Sequence, residues 1–443
     1  MSANWVPYKD GSAVQEAIAM ANGLISQGVQ IKPMHQGYEE TEPEGALDQF
    51  RKYQDRASGK YQPATGHKES TEAFAAFAAK FLGLPSDRAG GNCFALQTNG
   101  RVGLGHAFSI VANFYAVDGL NHISALVPSS RWPMVDSKAT QARLKNMVEY
   151  DVSRGKIAEN IIAALDADDG KDRIAVLYTN FPHNPTGLAS SGEEIARVQK
   201  KLDELNMNRA ARNIPPIVHI ADDPYFMGLP QNDATDKNNP VFQSPYAGNF
   251  QIDGPTPSIH IVSFSKALAT ASPGFHGTFM TNSDMAKGYG KFLATDLGPS
   301  FAPDFMNQIA AMLQEDFHDA LREHFLKIHK KYAVNNPIFE SHDSACVDGD
   351  PGMTRVLRVP EEALGKRISV NGETREIKTT RDVCAYIANT TGTILVAQAE
   401  SGREDLIRAA LKSENPDMIE EGSKDIAKAL DDLASAAPIS EAA

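Results

Sequence analysis

Apolar positions along the chain follow two rhythms. Near the start, Val14, Ala17, Ile18, Ala21 and Leu24 recur at helical spacings, which predicts a helix over 12–28 stopped by Gly28. Ile31-Lys-Pro-Met-His-Gln-Gly37 then reads as extended and leads into an acidic loop, Glu39 to Glu44. Tyr61-Gln-Pro-Ala-Thr-Gly66 is a turn-rich loop before a helix carrying Phe74, Phe77, Phe81 and Leu82. From about residue 90 short, mostly apolar runs alternate with helical patterns. The runs at 93–98, 125–128, 174–178, 217–220 and 259–262 read as buried strands. The first leads through the glycine-rich turn Asn99-Gly-Arg-Val-Gly-Leu-Gly-His106 into a helix with Phe108, Ile110, Val111 and Phe114. A helix over 192–205 places Ile195, Val198, Leu202 and Leu205 on one face.

This alternation predicts an open α/β sheet with helices on both faces, whose ligands collect at the carboxyl ends of the strands. After about residue 305 the pattern changes. A long helix runs from Met306 past Ile328, with Phe317, Leu321 and Phe325 in phase, and Asn335 and Pro337 are expected to break it. A strand at 354–359, a hairpin at 367–377 turning on Asn371-Gly372, a helix at 381–388 and a strand at 393–397 follow. A last helix carries Ile419, Ile426, Leu430 and Leu433, and the tail from Ser435 is expected to fray. This is an α+β pattern, so the chain divides into a large domain at 50–310 and a smaller one at 1–49 and 311–443, with the N-terminal arm packed on the smaller.

Composition narrows the function. With 42% hydrophobic and 22% charged residues over 443 positions, the chain is an ordinary globular one. A net charge of −13 argues against broad nucleic-acid or anionic-membrane binding, yet leaves room for a small basic pocket. Cys93, Cys346 and Cys384 form no CxxC pair, so neither a disulfide framework nor a cysteine metal site is expected. No apolar run reaches membrane-spanning length and residues 1–5 do not begin a signal peptide, so a cytoplasmic enzyme is the expectation.

Chemistry concentrates just past the strands. Lys266, in Ser263-Phe-Ser-Lys266, follows a buried run, where a charged amine is costly unless it is neutral or covalently used. One reading is a Schiff-base lysine; the other is an exposed lysine opening a loop. The strand, glycine turn and helix start around residue 100 suit an anion. Trp132 either stacks on a planar ligand or serves the core or a lid. Asn184 sits in a loop shaped by Pro182, Pro185 and Gly187, and Asp222 and Tyr225 follow the next strand.

Together, Asn184-Pro-Thr-Gly187, Asp222-x-x-Tyr225 and Ser263-x-Ser-Lys266 resemble the fold-type I pyridoxal-phosphate enzymes, above all the class I/II aminotransferases of the aspartate and aromatic kind. The order from Tyr61-x-Pro-x-x-Gly66 to a late arginine matches too, over roughly residues 30–435. The resemblance implies an α/β fold: a large domain with a mixed, mostly parallel seven-stranded sheet between helices, and a smaller α+β domain. It implies pyridoxal 5′-phosphate, held by Lys266 as a Schiff base, and a homodimer in which Tyr61 reaches the neighbouring subunit's phosphate. Lys266 would also move the substrate proton, and Asp222 would keep the pyridine nitrogen protonated. Tyr225 and Asn184 would bond the ring oxygen, and Trp132 would stack on the ring. Gly100, Arg101, Val102, Ser263, Ser265 and His276 would form the phosphate cup. Arg408 would clamp the substrate carboxylate, with Arg403 as the competing candidate, beside Gly37 and Asn184.

Departures from the family pattern bear on specificity. His276 in Pro273-Gly-Phe-His-Gly277 stands where an arginine is usual, and Val102 where a hydroxyl is common. Arg101, where the family often has a small residue, is the candidate to supply the missing charge. Residues 293–300 hold no arginine of the kind that dicarboxylate-specific members carry, which argues against a strict aspartate enzyme of that type. The implied activity is amino transfer between an L-amino acid and a 2-oxo acid by a ping-pong route. Alternatives are a pyridoxal-phosphate lyase (β-elimination, C–S lysis or cyclopropane-carboxylate synthesis) and a non-catalytic binding protein. Intact Lys266, Asp222 and Tyr225 argue against the last.

Overall fold

A computed structural model describes residues 5–7, 12–37, 64–65, 68–84, 92–96, 100–116, 123–144, 146–230, 232, 240–263, 265–267, 276–296, 315–342, 346–347, 352–370, 373–398 and 403–438. The chain opens with α1 (Ala13–Ser26), capped by the Ser12 hydroxyl, which accepts from the Gln15 amide. Its buried stripe is Ala13, Ala17, Met20, Ala21 and Leu24, while Val14 and Ile18, expected on that face, are 36% and 38% exposed. The stripe through 13, 17, 20 and 24 keeps a truer helical period than one through 14 and 18. Next, β1 (Lys32–Pro33) lies parallel to β12 (Thr393–Ile394), so the arm packs against the C-terminal part of the chain.

The central unit runs through α2 (Lys68–Leu82), β2 (Cys93–Leu96), α3 (Gly100–Ala116), β3 (Ser124–Pro128), α4 (Met134–Gln141), β4 (Asn146–Tyr150), α5 (Ile157–Ala167), β5 (Ile174–Thr179), α6 (Gly192–Ala210), β6 (Val218–Asp223), β7 (Ser258–Ser263), β8 (His276–Met280) and α7 (Ser283–Asp296). The seven strands lie in the order β2-β8-β7-β6-β5-β3-β4. Only β8 runs against the rest, antiparallel to both neighbours. Every residue of β3, β5, β6, β7 and β8 is buried, as a sheet covered on both faces requires. Helices α2, α5 and α6 supply one core, and α3, α4 and α7 the other. The predicted mixed, mostly parallel sheet is thus the one found.

Three local expectations are corrected here. Helix α3 already begins at Gly100, so Gly103 and Gly105 are helical residues rather than turn residues. They are packing contacts: a Cβ on Gly103 would lie 2.5 Å from His276 Nε2. His276 itself starts strand β8, an element the sequence reading does not name. Between Pro133 and Ile174, where the reading above names no element, the chain forms α4, β4 and α5.

The long helix α8 (Glu315–Glu340) does not end at Asn335 or Pro337 but contains both. Two side-chain amides beside the proline anchor this part of the helix to its surroundings. Asn335 Nδ2 reaches the carbonyls of Leu411 and Ser413 at 2.8 and 2.9 Å, and Asn336 Nδ2 those of Tyr332 and Gly352 at 2.8 and 3.0 Å. Leu321, Phe325, Ile328 and Tyr332 of this helix pack with Phe77, Phe81 and Phe226 of the central unit, and Phe339 packs with the C-terminal elements. Those elements are β9 (Thr354–Arg358), the hairpin of β10 (Lys366–Val370) and β11 (Glu373–Ile377), α9 (Thr380–Thr391), β12, β13 (Val396–Ala397), β14 (Leu406–Ala410) and α10 (Pro416–Ser435). The expected single strand at 393–397 is two short pairings: β12 joins β1, and β13 joins the antiparallel sheet β13-β14-β9. Residues 436–438 are held by a bridge from Pro438 to Lys366.

Candidate active site

Because β3, β5, β6 and β7 are parallel, their carboxyl ends share one edge. A cavity of about 330 Å³ opens there, lined by Gly37, Gly100, Arg101, Trp132, Asn184, Asp222, Tyr225, Ser263, Ser265, Lys266 and Arg408. Lys266 lies in the turn after β7 and is half-buried. Burial lowers its amine to about 8, and the positive charges of Arg408, Arg101 and Lys412 add to this. The exposed-loop reading of Lys266 is therefore not the arrangement observed.

Asp222 sits near the end of β6, buried, with its Oδ2 accepting from Tyr178 Oη at 3.1 Å. Burial pushes its carboxyl up to about 7; the Tyr178 bond opposes this and the Asp223 carboxylate adds to it. Asn180 ties the next loop in place. Its Nδ2 donates to the Asp222 carbonyl at 2.6 Å, and its Oδ1 accepts from the Asn184 amide at 2.9 Å. The loop carries two cis peptide bonds, Phe181–Pro182 and Asn184–Pro185. Its far end is closed by the Gly187 amide on the His183 carbonyl at 2.7 Å. Asn184 thereby projects Oδ1 to Arg408 Nη1, 3.1 Å away.

Arg408 comes from β14, and its Nη2 donates to the His35 carbonyl at 3.2 Å. Three separate parts of the chain meet at this guanidinium. Gly37 leaves the space beside it open, since a Cβ there would lie 3.6 Å from Tyr225 Oη and 3.8 Å from Arg408 Nη2. Burial pushes the Tyr225 hydroxyl up, with Arg408 opposing. The competing Arg403 is instead engaged with Asp405, Nε to Oδ1 at 3.0 Å, and does not line the cavity.

At the other end, the first turn of α3 meets Ser263: a Cβ on Gly100 would stand 3.4 Å from Ser263 Cβ, and Ser263 Oγ lies 3.4 Å from Ser265 Oγ. Amides at a helix start beside two hydroxyls make an anion cradle. Arg101 stands over the Trp132 ring at 5.5 Å. Trp132 is half-buried, lines the cavity and also packs on the second core. Val102 and His276 do not line the cavity; His276 is buried in β8, paired with Ser263 across the ladder. Tyr61 falls outside the described residues.

Several contributors are absent from the sequence reading. Tyr178 and Asn180 line the cavity beside Asp222, and Gln398 and the first turn of α1 complete its wall. Tyr178 is a hydroxyl at the end of an otherwise apolar strand, followed two residues later by an amide, and that was the available signal.

Among known families, the model of aminotransferase class I and II matches residues 36–208. No curated protein sequence matches the chain. Among solved structures, an archaeal alanine:glyoxylate aminotransferase superposes with a TM-score of 0.72 at 17% identity, over 96% of each chain. The aspartate aminotransferase of Thermus thermophilus with maleate gives 0.70 at 15%, over 95% of this chain and 97% of that one. The aspartate aminotransferase from Rhizobium meliloti gives 0.70 at 16%, over 95% and 96%. The fold is that of the fold-type I aminotransferases.

Proposed function

We propose that this protein is a pyridoxal-phosphate-dependent aminotransferase that moves an amino group between an L-amino acid and a 2-oxo acid. One observation carries the reading: a lysine amine lowered to about 8, a buried carboxyl raised to about 7 and a buried guanidinium converge on one cavity. The donor set fits the cofactor. A carboxyl raised by burial gains most from a cation set beside it, and a protonated pyridine nitrogen is such a cation. The start of α3 with Ser263 and Ser265 suits a phosphate.

When bound, pyridoxal 5′-phosphate supplies an aldehyde that condenses with amines and a ring that withdraws electrons. Lys266 would provide the amine that holds it and, once an incoming amine displaced it, would carry the proton removed from the substrate Cα to the cofactor's aldehyde carbon. Asp222 keeps a proton at the pyridine nitrogen, and Tyr178 fixes the carboxylate that does so. Tyr225 and Asn184 would hydrogen-bond the ring oxygen, and Trp132 would cover a ring face. Gly100, Arg101, Ser263 and Ser265 hold the phosphate. His276 acts from behind, by packing on Gly103 and fixing the first turn of α3. Arg408 forks the substrate carboxylate beside Gly37. The active unit in this reading is a homodimer completed by Tyr61, with domains at 50–310 and at 1–49 plus 311–443.

The test is the visible absorbance of the purified protein. Added pyridoxal phosphate should give a yellow band in the wild type and none in Lys266→Ala. An L-amino acid should bleach the band and a 2-oxo acid restore it. Ammonia release with no oxo acid present, or no band at all, would overturn the reading.

A further inference from the structure

The cavity has an uncharged, mainly apolar wall that none of the roles above uses. It adjoins the carboxylate clamp, because Val396 of β13 pairs directly with Arg408 of β14. Ala397 and Gln398 continue it, and Met134 closes it from the start of α4. Val14, in the first turn of α1, completes it. Val14 stands out on its own helix: it is an apolar side chain that leaves the buried stripe, remains 36% exposed and lines the cavity. Its neighbours Ala13 and Ala17 pack with Val396 in one cluster, so α1 and β13 form a continuous surface. Among the described lining residues, the charged groups are Arg101, Asp222, Lys266 and Arg408, and none belongs to this wall.

A group held by its carboxylate at Arg408 must place its side chain next to whatever flanks that arginine. Apolar flanks favour burial of carbon, and a second carboxylate set against this wall would lose water and meet no cation among its described residues, only the neutral groups of Ser12, Gln15 and Gln398. We propose that the wall of Val14, Met134, Val396, Ala397 and Gln398 is the side-chain pocket, and that it selects amino acids with uncharged, apolar side chains over dicarboxylic ones. This rests on the aminotransferase reading for the word substrate, though the preference itself is a property of binding.

Arg101 is the rival. Stacked over Trp132, it is a cation of the same cavity that could meet a distal carboxylate instead of a phosphate.

The experiment measures binding apart from turnover. The cofactor-loaded protein is titrated with 4-methylpentanoate, 3-phenylpropanoate and succinate, and the melting midpoint is followed. The two apolar monocarboxylates should bind at least tenfold more tightly than succinate. Val14→Asp should abolish that preference while leaving the visible absorbance of the bound cofactor intact. Aspartate is well tolerated in a first helical turn, so this variant should fold. Succinate binding as tightly as the monocarboxylates would overturn the inference, whether or not Arg101→Ala then removes it. Failure of all three to bind, or an unchanged preference in Val14→Asp, would overturn it too. Conversion of the cofactor band is then read with L-leucine, L-phenylalanine and L-aspartate. If none converts the band while the binding preference holds, the aminotransferase reading falls and the pocket's preference stands. Conversion by aspartate alone would sink the preference and leave amino transfer supported.

Discussion

Asp222 without a cationic neighbour is a carboxyl under stress. Its ordinary value of 3.8 rises to about 7 because burial disfavours the charge, and Tyr178 offsets only part of that. A folded value above the unfolded one means that the unfolded chain binds fewer protons between those limits. The stability that Asp222 contributes when protonated is therefore whole below 3.8 and is lost as pH rises through about 7. The span corresponds to at most roughly 4 kcal/mol at 1.36 kcal/mol per pKa unit. Asp222→Asn keeps an acceptor for Tyr178 and cannot ionise. Melting of the cofactor-free proteins should show the variant gaining on the wild type from pH 4 to 7 and holding its lead above 7. Pyridoxal phosphate should shrink the lead, because only the wild type gains the pairing of Asp222 with the protonated ring nitrogen. A wild type that is the more stable form at pH 8 without cofactor would refute this account. At this scale the sequence shows the side chains that act by type, such as Lys266, Asp222, Asn184 and Arg408. It does not show His35, which contributes a backbone carbonyl that any residue carries. Tyr178 is also hidden, since in an apolar strand it reads as core.

At the scale of elements, two glycines of one helix make opposite demands. A Cβ on Gly103 would lie 2.5 Å from His276 Nε2, in the ring of a buried β8 residue that cannot swing away. A Cβ on Gly105 would lie 3.1 Å from Lys138 Cδ, in a flexible, half-exposed side chain. Replacing glycine by alanine inside a helix gains up to about 1 kcal/mol. Overpacking costs about 1–3 kcal/mol. Gly103→Ala should thus lose stability, by about 1–2 kcal/mol net, and weaken phosphate-dependent cofactor binding as the start of α3 shifts. Gly105→Ala should be neutral or stabilising. Urea midpoints of the two variants check the contrast, and equal midpoints would remove the packing role assigned to His276. The same pair explains a limit of legibility. Glycines before a helical pattern suggest a turn, and only the position of β8 reveals that they are there for closeness. Strand β8 was illegible for a related reason: it follows Pro273-Gly-Phe, which reads as loop. Asn335 and Pro337 look like a helix stop, but the helix contains both, and Asn335 anchors it to the Leu411 and Ser413 carbonyls, which the local sequence does not show. Helix α5 was within reach, since Ile157, Ile161 and Leu165 recur every fourth residue and are all buried.

Across the whole molecule, the alternation of apolar runs predicted an open α/β sheet and the resemblance supplied its mixed, seven-stranded form, while the site depends on contacts between segments hundreds of residues apart. Arg408 meets Asn184 at a sequence separation of 224 and His35 at 373. The N-terminal arm, the central sheet and the C-terminal sheet are thus joined at one guanidinium that lines the cavity. A planar fork can keep two protein partners and still present N–H groups to a carboxylate, whereas an ammonium is a point charge with no such geometry. Arg408→Lys therefore preserves charge but not the junction. It should weaken 4-methylpentanoate binding to the cofactor-loaded protein by tenfold or more, about 1.4 kcal/mol. The visible band should persist, because Lys266 and Asp222 remain. The ligand-free melting midpoint should fall as well, since the lost bonds link three parts of the chain. A variant that lost affinity without losing stability would make Arg408 a ligand contact only. One that lost stability while keeping affinity would make it a structural junction and return the carboxylate clamp to Arg403.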